Sequence, residues 1–297
     1  MAKQSTLFHC TNCDYRPPKW LGCCPGCNEW GSITEQSSMG RIGKIQPSSA
    51  SSIPLALLKD IPDRTADRLV TGMLEWDRVM GGGIVPGSFI IISGDPGIGK
   101  STLLLHIAHT LAANQTVLYF SSEESLHQIK NRAQRIGCTT NTLLFSDQAD
   151  LESITNAAAH YKPSLIVIDS IQNCYSNQTE LLPGTLGQLR EAAFVLMRLA
   201  KEQGIAIIVT AHITKEGIMA GPKMLEHMVD AVFYLQGEEK WDTRILRSVK
   251  NRFGSVNELG FFHMEADGLH QVSNINKYLL DETAGFPGPQ AAGTTEG

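Results

Sequence analysis

The sequence predicts an α/β fold in which helices cover a mostly parallel sheet, with a small cysteine-rich module in front of it. Three observations support this prediction. Along residues 89–210, short and continuously apolar runs alternate with longer segments whose apolar residues recur at helical spacing, as in buried parallel strands and their connecting helices. A glycine-rich loop ending in Gly-Lys-Ser separates the first such run from the first such helix. Two C-x-x-C pairs lie near the amino terminus.

The cysteine-rich module is predicted over residues 1–35. These residues are too few to form a hydrophobic core of their own, so the module needs a metal ion or cross-link to stabilise it. The two C-x-x-C pairs supply four thiolates that suit one tetrahedral, structural zinc ion: Cys10, Cys13, Cys24 and Cys27. An iron–sulfur cluster or plain reduced cysteines are the alternatives. Cys23 is placed outside the metal shell, and Trp20 and Trp30 are expected to cover the metal. The mild basicity of residues 1–59 suits either nucleic acid or a protein partner.

A second domain is predicted over residues 61–280, after a linker at 36–60 that is rich in Ser, Gly and Pro. It opens with the tight turns of "VMGGGIVPGSF". Strands are predicted at 89–93, 117–121, 142–145, 165–169 and 205–210, and helices at 102–112, 126–136, 151–160 and 186–203. The later stretches "DAVFYLQG", "TRILRSVKN" and "LGFFHMEADGLHQV" predict an antiparallel extension. Residues 281–297 are small and polar and are expected to form a disordered tail.

The loop "GDPGIGKST" satisfies the G-x-x-x-x-G-K-S/T pattern between a predicted strand and a helix, which is the context that the pattern needs. Its glycines let the backbone amides approach phosphate oxygens, while Lys100 would neutralise the β and γ oxygens and Ser101 would hold Mg²⁺. The expected ATP-binding residues are Gly94, Asp95, Pro96, Gly97, Ile98, Gly99, Lys100, Ser101 and Thr102. The alternative is a glycine-rich turn that merely begins a helix.

Polar residues at the carboxyl ends of later strands complete the expected site. Asp169 ends the run "LIVID", where its carboxylate can bind Mg²⁺ or, alternatively, only cap a helix. In "YFSSEES", Glu123 or Glu124 would orient the attacking water, with Glu123 preferred; the alternative is a pair of solvated acids at a helix start. His212 follows "IAIIVTA" and either contacts the γ-phosphate or is a structural polar residue.

Composition and net charge limit which partners the protein can bind and in which compartment it is expected. The formal net charge is −5, so attraction to nucleic acid must come from local basic patches. No apolar run approaches the roughly 18 residues of a membrane span. The first ten residues lack the continuous apolar core of a signal peptide. We therefore expect a cytoplasmic protein without a membrane partner.

Several of these motifs together resemble one family. The segments "KWLGCCPGCNEWGS", "GDPGIGKSTLLL", "LIVIDSIQ", "HITKEGIMAGPKMLEHMVD" and above all "VKNRFGSVNELG" are similar to those of the RadA (Sms) family of bacterial DNA repair ATPases, which is RecA-like. The likeness runs from about residue 8 to residue 280, and its most specific motif is Lys250-Asn251-Arg252-Phe253-Gly254. The resemblance implies a RecA-like P-loop ATPase core with a mostly parallel sheet, plus a four-cysteine zinc module.

The resemblance also implies a function. The family forms hexameric rings that bind single-stranded or branched DNA and move along it with ATP, driving branch migration together with the RecA recombinase. A DNA-stimulated, helicase-like ATPase with ATP, Mg²⁺ and Zn²⁺ as cofactors is therefore expected. Lys250 and Arg252 would reach the nucleotide of a neighbouring subunit in the manner of an arginine finger. On sequence alone, the two residues are an ordinary basic pair.

The loop "ITKEGIMAGPKM" is expected to face the ring's channel and to contact DNA through Lys215 and Lys223; the alternative is a flexible connection. Three departures from the family stand out. Ser122 replaces a usual glycine and Cys23 a usual lysine. The family's usual second domain, which resembles the Lon protease, has no counterpart in these 297 residues. The alternative function is a nucleotide-gated adaptor ATPase that regulates a protein partner.

Overall fold

A computed structural model describes residues 7–10, 15, 17–36, 57–60, 67–177, 184–212, 225–237 and 242–272 of the chain. Contacts divide the chain into two units, Met1–Arg64 and Thr65–Gly297. Within the described ranges, no helix has the length and apolar character that crossing a membrane requires.

The first unit is built on a short hairpin. Strand β1 (Leu7–Cys10) pairs antiparallel with β2 (Ile33–Gln36), and Cys10 lies opposite Ile33. Cys10, Cys24 and Ile33 form its small buried core. The expectation that Trp20 and Trp30 cover the metal is wrong, since the two residues are 60% and 79% exposed. The core around the sulfurs is made of smaller side chains, and the Trp20 indole instead donates a hydrogen bond to the Ile33 carbonyl at 3.1 Å.

The second unit alternates strands and helices up to its fifth parallel strand, as the sequence predicts, with element ends shifted by only a few residues. The elements are α1 (Leu74–Met80), β3 (Phe89–Gly94), α2 (Lys100–Ala112), β4 (Val117–Ser121), α3 (Leu126–Arg135), β5 (Leu143–Ser146), α4 (Leu151–Tyr161), β6 (Leu165–Asp169), α5 (Leu186–Gln203), β7 (Ala206–His212), β8 (Ala231–Gly237), β9 (Thr243–Asn251), β10 (Leu259–Glu265) and β11 (Gly268–Gln271).

Helix α1 lies where the sequence predicts only tight turns. Its seven residues are too few to show a helical period clearly. Trp76 and Met80 on this helix are fully buried. The Asp77 carboxylate accepts hydrogen bonds from the backbone amides of Thr71 and Gly72 at 3.0–3.1 Å, which fixes the chain that enters the helix.

The nine strands of the second unit form one sheet in the order β11-β10-β9-β8-β3-β7-β6-β4-β5. The strands from β8 to β5 in this order are parallel, whereas β9, β10 and β11 are added antiparallel. The mostly parallel sheet is therefore confirmed. The sequence places β8 in the antiparallel extension, but β8 pairs parallel with β3 on one side, because a single strand's apolar pattern does not specify the direction of its partner.

The core lies on both faces of the sheet. Ile90 and Ile92 of β3 belong to a cluster with α1 and α2, while Phe89 and Ile91 belong to a cluster with α4 and α5. Strands β3, β4 and β6 are buried along their whole length. Because these central strands are parallel, their carboxyl ends meet at one edge of the sheet, and this edge positions the candidate site.

Candidate functional site

The glycine-rich loop leaves the sheet at the end of β3 and enters α2. Gly94 lies beside β8 so closely that a Cβ atom built on it would be 2.3 Å from the Leu235 carbonyl oxygen, which explains why this position requires glycine. Gly97 and Gly99 have φ angles of +79° and +113°, in the region that glycine favours. The loop thus wraps toward the amino terminus of α2, where backbone amides are available to bind phosphate.

Lys100 lies inside this loop. Only 5% of the residue is exposed, and its Nζ donates to the carbonyl oxygens of Gly94 at 2.8 Å and Asp95 at 2.9 Å. Burial lowers the pKa of Lys100, and the negative charges of Asp169 and then Glu123 partly oppose that shift. The predicted cation and the two predicted carboxylates therefore lie near one another.

Asp169 ends β6 beside the loop, and only 3% of it is exposed. Its Oδ1 accepts a hydrogen bond from Thr210 Oγ1 at 2.6 Å, and its Oδ2 accepts one from the Tyr119 hydroxyl at 3.2 Å. Its carbonyl oxygen accepts from the Ser122 amide at 2.9 Å. The peptide bond from Asp169 to Ser170 is cis. A carboxylate here and the Ser101 hydroxyl at the start of α2 are the oxygen ligands that Mg²⁺ prefers.

Glu123 and Glu124 have different partners. Glu124 forms an ion pair with Arg132 of α3. Glu123 Oε1 accepts a hydrogen bond from Ser170 Oγ at 2.5 Å, next to Asp169. This geometry favours Glu123 as the carboxylate directed toward the phosphate loop, although its role with water stays a prediction.

The remaining predicted residues on this edge are less fully described. His212 is the last residue of β7 and lies opposite Gly94 in the sheet register, so its backbone is beside the loop. Lys215, Lys223 and Cys13 lie outside the residues that the structure describes, and their roles stay predictions.

Lys250 and Arg252 lie at the other edge of the sheet. Lys250 pairs with Val232 in the register of β8 and β9, and the Arg252 amide donates to the Asp230 carbonyl at 3.1 Å. Leu235, by contrast, pairs with Gly94 of the loop. Five residues of extended strand separate Asp230 from Leu235, which is about 16 Å. Arg252 therefore lies far along the sheet from the phosphate loop of its own chain.

Asp230 connects three elements at that edge. Its Oδ2 accepts from the Phe89 amide at 3.0 Å and from Lys201 Nζ at 2.6 Å, and its Oδ1 lies 3.4 Å from the Arg252 guanidinium. The Arg252 side chain is 60% exposed. Lys250 Nζ instead donates to the carbonyls of Glu226 and, at 2.8 Å, of Val229. Burial, followed by the nearby Arg252 charge, lowers the pKa of Lys250. Arg252 is thus the more available cation.

In the first unit, three sulfurs converge as a metal site requires. The Sγ atoms of Cys10, Cys24 and Cys27 lie within 4.8 Å of one another, with Cys10 and Cys27 at 3.7 Å. Four sulfurs bound to zinc at about 2.3 Å would be about 3.8 Å apart, so this spacing fits the ion. The Gly26 amide donates to Cys24 Sγ at 3.4 Å, which suits a metal-binding turn. Cys23 lies outside the cluster, as expected.

Sequence reasoning missed Tyr119, Thr210, Asp230 and Lys201. A weak signal was present for the first two, because "VLYFS" and "IAIIVTA" each place a hydroxyl inside an otherwise apolar, buried strand. Buried hydroxyls need partners, and the partner here is the predicted Asp169.

Comparisons with known proteins agree with these features. A family model described as an AAA domain matches residues 60–217, and one described as a rubredoxin metal binding domain matches residues 8–35. The whole chain is similar to proteins named DNA repair protein RadA, with 43% identity in Halalkalibacterium halodurans, 45% in Streptococcus pyogenes serotype M1 and 42% in Bacillus subtilis. The chain spans 66% of the length of each of these relatives, just under two thirds.

Two solved structures share the fold. The ATPase domain of G40P has a TM-score of 0.60 and 17% identity, and the match covers 69% of this chain and 91% of that one. The RadB recombinase has a TM-score of 0.53 and 22% identity, covering 69% of this chain and 100% of that one. With the AAA-domain match, these similarities confirm the RecA-like ATPase fold that the motifs predict.

Proposed function

This chain belongs to the AAA-domain family and is related over its whole length to the RadA proteins, and from this premise we propose that it is a DNA-stimulated ATPase of recombination and DNA repair. It assembles in the cytoplasm as a hexameric ring on single-stranded or branched DNA and promotes branch migration with the RecA recombinase. The observation that carries the proposal is the meeting of Lys100, Asp169 and Glu123 around one phosphate loop.

Hydrolysis would use this cluster directly. Lys100 exchanges its bonds to loop carbonyls for bonds to the β and γ oxygens of ATP. Ser101 and Asp169 would hold Mg²⁺, which neutralises charge on the transferred phosphoryl group when bound. Glu123 orients the attacking water through its carboxylate, and His212 is assigned the contact to the γ-phosphate.

The second half of each hydrolysis site comes from a neighbouring subunit. Arg252 is exposed and lies at the sheet edge opposite the loop, so it serves the nucleotide of another chain rather than its own. Lys250 acts beside it, either on the nucleotide or by fixing the turn through its bonds to Glu226 and Val229.

Contacts with DNA are assigned to Lys215 and Lys223, which follow β7 in the sequence. Each would bind backbone phosphate, which is recognised without regard to base sequence. The four-cysteine module holds Zn²⁺ through Cys10, Cys13, Cys24 and Cys27, and the ion takes the place of a hydrophobic core.

The test measures ATP hydrolysis with and without single-stranded DNA. We expect DNA to raise the wild-type rate and Lys100→Ala to lose hydrolysis at all DNA concentrations, because the cation that binds the phosphates is gone. Arg198→Ala is the control, since it removes an exposed cation whose described partners, Glu202 and the Phe194 ring, both lie on its own helix α5. Equal rates of ATP hydrolysis with and without DNA would overturn the proposal. A rate that increases only when a protein partner is added would favour the adaptor function.

A further inference from the structure

Two hydroxyl groups hold the Asp169 carboxylate from the strands on either side of it. Thr210 of β7 donates to Oδ1 at 2.6 Å, and Tyr119 of β4 donates to Oδ2 at 3.2 Å. Strands β4 and β7 are the two neighbours of β6 in the sheet. Each carboxylate oxygen therefore has its own donor, and each donor comes from a different element.

All three groups are shielded from water. Tyr119 and Asp169 are each 3% exposed, and Thr210 is fully buried. A buried carboxylate that lost either donor would have an unsatisfied oxygen.

A carboxylate needs such restraint because its terminal torsion is soft. The last side-chain torsion of aspartate has a broad distribution, so the plane of a free carboxylate turns easily. Donors on both oxygens fix that plane. Lys100, the nearby cation, donates to loop carbonyls while Asp169 is held by the two hydroxyls. The arrangement thus keeps the carboxylate oriented before nucleotide arrives, which is preorganisation of the site.

We propose that Tyr119 and Thr210 are positioning residues that hold the Asp169 carboxylate in the orientation that accepts Mg²⁺ together with nucleotide. The proposal rests on the proposed ATPase function, because it concerns the same Mg²⁺. It predicts that the two hydroxyls set how much Mg²⁺ the site requires, while the affinity for nucleotide without the metal depends on the loop.

The test uses Tyr119→Phe and Thr210→Val, which remove a hydroxyl with little change of shape. Binding of a fluorescent ATP analogue is titrated with Mg²⁺, and hydrolysis is measured separately at saturating Mg²⁺. Each variant should need roughly 10-fold more Mg²⁺ for half-maximal binding, as expected for losing one hydrogen bond to a charged group. Analogue binding in EDTA should stay at the wild-type level, and high Mg²⁺ should restore most of the hydrolysis.

Matched controls separate this role from general destabilisation. Thr243→Val also removes a buried threonine hydroxyl from a strand, but that hydroxyl has no hydrogen-bond partner among the residues described. Tyr161→Phe removes a half-exposed phenol from α4. Both controls should keep the wild-type Mg²⁺ requirement. Thr210→Ser, which retains the donor, should also keep it.

A double-mutant cycle shows whether the two residues act through Asp169. In an Asp169→Asn background, Tyr119→Phe and Thr210→Val should have no further effect on the Mg²⁺ requirement. An unchanged Mg²⁺ requirement in folded single variants would overturn the proposal, and so would an equal loss of analogue binding in EDTA. If instead the wild-type chain fails to bind nucleotide with Mg²⁺, the proposed function itself falls.

Discussion

Glu123 and Glu124 are adjacent in sequence, yet the structure gives them different partners. Glu124 is paired with Arg132, whereas Glu123 is bonded to Ser170 next to Asp169. Sequence reasoning could identify the pair because acids after a buried strand are typical of this site, but it could only prefer one of them. The choice depends on which carboxylate points along the sheet edge, and that is decided by the turn between β4 and α3.

A matched pair of substitutions tests this distinction. Glu123→Gln should lower ATP hydrolysis by roughly 100-fold or more while nucleotide still binds, because the amide cannot act as the base for water. Glu124→Gln should leave most of the activity, since it removes only the ion pair with Arg132. Single-turnover hydrolysis and equilibrium binding of ATP measure the two effects. Greater loss in the Glu124 variant would reverse the assignment.

Site residues that belong to a sequence motif could be predicted from the sequence. Site residues that act through contacts between neighbouring strands could not. Lys100 and Asp169 lie at fixed places in strand and loop motifs. Tyr119 and Thr210 matter because β4, β6 and β7 are neighbours, and that order is a property of the whole sheet. A single sequence contains the hydroxyls but does not state the register that brings them to Asp169.

Among the elements, the central strands were predictable because their burial on both faces makes them continuously apolar. Helix α1 was not, since it is short, has no side-chain cap at its start, and is tied to the preceding loop through the Asp77 carboxylate. The direction of β8 was not predictable either. Its apolar residues suit any buried strand, and the parallel pairing with β3 becomes visible only in three dimensions.

Arg252 lies in the turn after β9, and its proposed role in hydrolysis can be tested by substitution. Arg252→Ala should lower hydrolysis by roughly 1,000-fold with little change in nucleotide binding, as expected for a lost arginine finger. Lys201→Ala is the matched control, because Lys201 is also half-exposed and also bound to Asp230. ATP turnover and binding are measured on each variant.

Mixing experiments then show whether the turn acts between chains. Subunits with Arg252→Ala and subunits with Lys100→Ala should regain part of the activity when combined, because some interfaces then contain an intact loop and an intact arginine. An absence of recovery at every mixing ratio would mean that the site is completed within one chain.

For the whole molecule, the two units should differ in what stabilises them. The second unit has a large core on both sheet faces, whereas the buried core among the described residues of the first is Cys10, Cys24 and Ile33, two of which belong to the sulfur cluster. Removing the metal with a strong chelator should therefore unfold the first unit and leave the thermal transition of the second in place. Calorimetry with a parallel zinc assay measures this.

Adjacent cysteines supply the control for the metal prediction. Cys24→Ser should lose zinc and the first unit's transition, because Cys24 belongs to the sulfur cluster. Cys23→Ser should retain both, since Cys23 lies outside it. Equal zinc loss in the two variants would contradict the assignment of ligands.

The phosphate loop and Arg252 lie at opposite ends of the sheet strands, and the proposed sharing of sites between chains sets a condition on how copies of this chain can associate. A two-fold dimer pairs identical patches, so it cannot join a loop to an arginine at both of two sites unless the two features share one patch. Head-to-tail stacking satisfies the proposed arrangement at every interface, and such stacking gives every subunit a front and a back. A closed ring of subunits then has as many complete hydrolysis sites as subunits, whereas an open ring has one fewer. Opening the ring to admit a DNA strand would therefore inactivate the site at the gap.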